Sequence, residues 1–98
     1  MISSKDELIM ACKLHKADLL KHYPIVRLGL FGSWMRNAQT SNSDVDALIE
    51  LSEPISMFQF IDIQEYLEKL VGCKVDLVTI SALKPSIKKN ILAEVVYI

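Results

Sequence analysis

Gly32-Ser33 and, ten residues further on, Asp44-Val45-Asp46 are the residues of this chain best suited to chemistry. Two carboxylates two apart on a strand project from the same face. Their Cα atoms lie roughly 6.6 Å apart at ~3.3 Å rise per residue, so both side chains can reach one hard cation. Glycine lets backbone approach a ligand closely, serine adds a hydroxyl, and a turn opening there aims free N–H groups at an anion. The pattern therefore sets a phosphate-type site beside a cation-type site. Asp-x-Asp by itself is most often a solvated surface pair. A Gly-Ser at one fixed spacing before it lowers the chance match to roughly one in a thousand chains of this length.

The elements that must position these residues follow from periodicity and punctuation. Ile25 to Phe31 is an apolar run broken by Arg27 and ended by Gly32, a central strand covered on at least one face. Ser33 to Asn37 is expected as a short helical turn, and Ala38 to Ser43 as a polar loop. Asp44 to Leu51 is the second strand. Asp44, Asp46, Leu48 and Glu50 share one face, while Val45, Ala47, Ile49 and Leu51 face the core. Lys74 to Ile80 is a third strand, interrupted by Asp76. Aspartate is disfavoured inside strands, so something must stabilise it, and a functional role is the natural reading.

Helices fill the intervals. Ser4-x-x-Glu7 is a capping box for a helix from about Lys5 to Lys21, with Leu8, Ile9, Cys12, Leu19 and Leu20 as its buried stripe and Tyr23-Pro24 as its stop. Ser56-x-x-Gln59 caps a second helix, Met57 to Val71, whose stripe is Phe60, Ile63, Leu67, Leu70 and Val71 and whose stop is Gly72. The aromatic side chains Phe58, Phe60 and Tyr66 read as packing. Pro85 opens a last helix to about Ala93. Val95 to Ile98 can add an edge strand or dock against a partner. The order predicts an α/β or α+β sandwich, a small mixed sheet packed against helices.

Composition narrows the functional classes. Ninety-eight residues make one domain with a modest core, and 51% hydrophobic residues leave some apolar surface for a partner. A formal charge of −1 gives no basic footprint for direct nucleic-acid binding. Cys12 and Cys73 lack metal-ligand spacing and read as free thiols of a cytoplasmic protein. No apolar run reaches the ~18 residues of a membrane span, and the polar N-terminus is no secretory signal. The chain has no Walker-type phosphate loop.

The Leu30-Phe31-Gly32-Ser33-x-x-Arg36 segment, the Ser43-Asp44-Val45-Asp46 segment and Lys74-Val75-Asp76-Leu77-Val78 together resemble the minimal nucleotidyltransferase branch of the superfamily related to DNA polymerase beta. The likeness covers most of the chain. It implies one reduced nucleotidyltransferase domain over residues 1–98, with Mg²⁺ as cofactor and ATP as substrate. It further implies Asp44, Asp46 and Asp76 as metal-binding and catalytic carboxylates, the last orienting or deprotonating the acceptor hydroxyl. Gly32 and Ser33 would cradle the β- and γ-phosphates and Arg36 would neutralise them. Trp34 and Asn37 stand where many relatives carry Arg and Gly, and Trp34 is then free to pack against substrate or a partner.

Proteins of this branch resemble antitoxins encoded beside a HEPN-class toxin, to which AMP is transferred on a tyrosine hydroxyl. Only 22 residues follow Asp76, too few for an acceptor-binding domain. The expected partners are therefore such a toxin and a nucleoside triphosphate, with an oligomer also open. A module that neutralises its partner by contact alone, and a transferase for a small molecule such as an aminoglycoside, are the alternatives.

Overall fold

The computed structural model describes residues 2–98. Helix α1 spans Lys5–His22, strand β1 Ile25–Phe31, β2 Val45–Leu51, helix α2 Met57–Val71, β3 Val75–Thr79, α3 Pro85–Glu94 and β4 Val96–Tyr97, with a 3₁₀ turn at Ile80–Ala82. The sheet order is β3-β2-β1-β4. β1 runs antiparallel to β2 and to β4, and β2 runs parallel to β3. This is the mixed sheet expected, and the C-terminal segment does add an edge strand.

Both long helices are delimited by local chemistry. Ser4 caps α1 by accepting the Glu7 N–H at 3.2 Å, and Tyr23, extended ahead of Pro24, ends it. Asp6 and Glu7 in the first turn and Lys21 and His22 in the last complement the helix dipole. In α2 the capping box is complete: Ser56 Oγ accepts from Gln59 N, and Gln59 Oε1 accepts from Ser56 N at 3.0 Å. Gly72 takes the left-handed conformation (φ 77°) that closes this helix.

The helices cover one sheet face. Leu8, Cys12 and Leu19 of α1 and Ile63, Leu67 and Val71 of α2 bury against Leu28 and Leu30 of β1, Val45, Ala47 and Ile49 of β2, and Val75 and Leu77 of β3. Leu48 points the other way, as its strand position predicts, and is nonetheless fully buried. The Val95 and Tyr97 side chains, before and within β4, reach that second face: a Cβ on Gly29 would come within 2.5 Å of Val95 Cγ2 and 3.2 Å of the Tyr97 ring.

Three side chains differ from expectation. Leu20 is exposed, because it sits 100° around the helix from Leu19, which already fills the core position. Phe58 is 81% exposed, since it lies about 140° around α2 from buried Ile63. Trp34 is buried in the main core and so does not face substrate or partner. Among the described residues its indole N–H has no hydrogen-bond partner. Met10 and Leu14, one turn apart on α1, and Met57 beside Phe58 are also largely exposed.

Candidate active site

β1 ends at Phe31, and the chain turns over Gly32 in the left-handed region (φ 78°). The turn continues from Ser33 through Asn37, held by Arg36 N–H to Gly32 C=O at 3.2 Å and Ala38 N–H to Ser33 C=O at 2.9 Å. Asn37 has φ 57°, a conformation asparagine tolerates and glycine favours. Among the described residues, the N–H groups of Ser33 and Trp34, at the mouth of the turn, make no backbone hydrogen bond. The backbone at Gly32 lies directly against Asp46, whose carboxylate any Cβ there would overlap. Sequence spacing had placed these residues in one motif, and the fold puts them in contact.

Asp46 faces Phe31 across the antiparallel pair and Asp76 across the parallel one. The two carboxylates therefore sit side by side on one rung of the β2–β3 ladder. Asp44 lies exposed just ahead of β2. Asp76 is exposed on β3, and its position is set by the preceding residue: Val75 N–H donates to Glu68 Oε2 at 3.1 Å, and Val75 C=O accepts from Gln64 Nε2 at 2.8 Å. Two α2 side chains thus hold the start of β3 through both backbone groups.

The electrostatics are those of a carboxylate cluster. Desolvation raises the Asp46 pKa above its ordinary value, and Asp76 and then Asp44 push it further the same way. Arg36 acts in the opposite direction, and Glu94 adds to the rise. Oxygen donors that repel one another while facing a common space fit a hard divalent cation, which accepts one or two carboxylates with substrate phosphates completing the shell. Among the described residues no three His, Cys, Asp or Glu side chains form a ready cage for an ion.

Glu94 was not singled out by sequence pattern. It ends α3, yet its Oε1 accepts from Gly32 N–H at 3.1 Å, and both of its oxygens accept from Arg36 Nη1, at 3.2 and 3.1 Å. No local signal announces this contact, which spans 62 residues between Gly32 and Glu94. Gly32, Ser33, Arg36, Asp44, Asp46, Asp76 and Glu94 thus occupy one end of the sheet.

Comparison with known proteins agrees with this geometry. Residues 12–98 match the nucleotidyltransferase domain family. The chain is 44% identical over 84 residues to the protein adenylyltransferase MntA of Thermococcus cleftensis, covering 86% of this chain and 85% of that one. It is 41% identical over 85 residues to a proposed protein adenylyltransferase of Methanocaldococcus jannaschii, covering 86% and 87%. Its fold superposes on the solved structure of a proposed minimal nucleotidyltransferase with a TM-score of 0.83 at 26% identity, over 96% and 95% of the two chains. A chain from a toxin–antitoxin crystal structure with AMP-PNP shares the fold, with a TM-score of 0.72 at 18% identity, over 97% of this chain and 72% of that one.

Proposed function

Because the chain belongs to the nucleotidyltransferase domain family, we propose that it transfers AMP from ATP to a hydroxyl of a partner protein, a HEPN-class toxin that it thereby neutralises. The observation that carries this reading is the contact of the Gly32 turn with Asp46, which lies beside Asp76 in the sheet. Donors for an anion and acceptors for a cation are then a few ångströms apart, the arrangement a metal-bound triphosphate needs. The 44% identity to a protein adenylyltransferase supports the choice of nucleotide and of a protein acceptor. Likeness to toxin–antitoxin structures, one of them a HEPN toxin in complex with an MNT antitoxin, supports the class of partner.

In this reading residues 1–98 work as one nucleotidyltransferase domain. Gly32 and Ser33 receive the β- and γ-phosphates through backbone N–H groups and the Ser33 hydroxyl, and Arg36 balances their charge. Asp44 and Asp46, with Asp76, would hold Mg²⁺, which when bound offsets the charge that builds on the phosphates. Asp76, exposed on its strand, orients the acceptor hydroxyl and takes up its proton. The hydroxyl oxygen forms a bond to the α-phosphorus, the bond to the β-phosphate oxygen breaks, and pyrophosphate leaves in line. The free cysteines, with burial pushing the Cys12 thiol up to about 11, support a reducing cytoplasm as its compartment.

The test is incubation of the chain with Mg²⁺, α-labelled ATP and the product of the neighbouring gene, with Asp44→Ala/Asp46→Ala as control. Label on the neighbour, lost in the control, is the expected result. A stable complex with no label under any nucleotide would overturn the catalytic reading and leave a module that acts by contact.

A further inference from the structure

The carboxylate of Glu94 sits on the same donors that a triphosphate would use. It accepts from the Gly32 N–H and, through both oxygens, from the Arg36 guanidinium. A carboxylate engages such donors as a phosphate does, by charge-assisted hydrogen bonds, here with the single nitrogen Nη1 of Arg36 shared between both oxygens. We propose that Glu94 is an internal occupant of the triphosphate subsite, which the nucleotide must displace before it can bind productively. The inference rests on the assignment of Gly32 and Arg36 to the triphosphate.

Three features make the contact a placeholder rather than a permanent tie. Its position is built in: Val96 and Tyr97 pair antiparallel with Leu30 and Gly29, and Ile98 N–H donates to Leu28 C=O at 2.8 Å, so the C-terminal segment runs alongside β1 and delivers Glu94 to the turn. It is also easily broken. The Arg36–Glu94 pair is 57% and 35% exposed, and α3 contributes no buried residue, so withdrawing the side chain disrupts no core packing. Finally, it sets a fourth carboxylate near Asp44, Asp46 and Asp76, a like-charge arrangement that departure relieves. A site competent only in the fraction of molecules where Glu94 has left shows an affinity lowered by that fraction.

The experiment measures binding of ATP, AMP and inorganic tripolyphosphate to the full chain by calorimetry at fixed Mg²⁺, for the wild type, Glu94→Gln and Glu94→Asp. Glutamine removes the charge in the same shape, and aspartate retreats by one methylene. Thermal melts establish that each variant is folded. The expected result is roughly 5-fold tighter binding of ATP and tripolyphosphate in both variants, about what an exposed ion pair can hold back, with AMP unchanged because it has no β- or γ-phosphate. Weaker ATP binding in the variants would make Glu94 a positioning residue for Arg36 and overturn the proposal. An equal change for ATP and AMP would also overturn it. If neither the wild type nor the variants bind ATP or tripolyphosphate, the nucleotide site itself is lost and the inference goes with it.

Discussion

Asp46 sits in surroundings that disfavour its charged form, first by desolvation and then through Asp76, Asp44 and Glu94. Its folded pKa lies above the ordinary 3.8, so the folded state binds the proton more tightly than the unfolded one. Below the ordinary value this residue takes nothing from stability. As pH rises through the raised value the folded state loses ground, and the loss persists at pH 7. Asp46→Asn should therefore raise the melting temperature of the ligand-free chain by ~2–4 °C at pH 7, a small shift because solvent screens the partly exposed group. The gain should vanish near pH 3, while labelling of the partner falls below detection. Melts of both proteins at the two pH values, alongside the transfer assay, check this. The grouping of Gly32-Ser33 with Asp44 and Asp46 is legible in the sequence because short spacing carries it, and Asp76 is legible because an aspartate inside an apolar strand stands out. Glu94 is not, because one more glutamate on a short helix gains its meaning only when the chain end pairs beside β1 as an edge strand.

The elements were legible where punctuation is local. β1 and α2 match expectation residue for residue, since each begins and ends at Pro, Gly or a capping serine. α1 and α3 each extend one residue past the expected end, β2 and β3 start one residue later, and Thr79 closes β3 where the 3₁₀ turn takes over. The exposed Leu20 and Phe58 show the limit of stripe reading, because an apolar residue beside a helical stripe is not thereby part of it. Trp34 illustrates the converse: a motif position that could have met substrate is committed to the core. Among the capping devices the reciprocal Ser56–Gln59 pair is the most complete. Ser56→Ala should cost about 1 kcal/mol, a fall of ~4–8 °C in a domain of this size, with transfer activity unchanged at 25 °C. Calorimetric melting of the variant against the wild type, with labelling measured in parallel, checks both halves.

For the molecule as a whole, the order β3-β2-β1-β4 leaves β3 at one border of the sheet. Border strands invite pairing with other chains unless something blunts them. Here the first residue of β3 has its N–H and C=O occupied by Glu68 and Gln64, which closes one end of the strand. The next residue is Asp76, exposed and charged in the middle of an otherwise β-branched and apolar run, Val75 to Thr79. Its charge then has a second duty that no transfer assay would reveal, which is to keep neighbouring molecules from stacking strand on strand. Asp76→Val and Asp76→Asn, which both remove the charge, should give species that grow with protein concentration in sedimentation velocity, whereas Asp76→Glu, which keeps it, should stay close to the wild-type profile. Asp76, proposed above as a catalytic carboxylate, would in this way also set how crowded the protein can become before it polymerises.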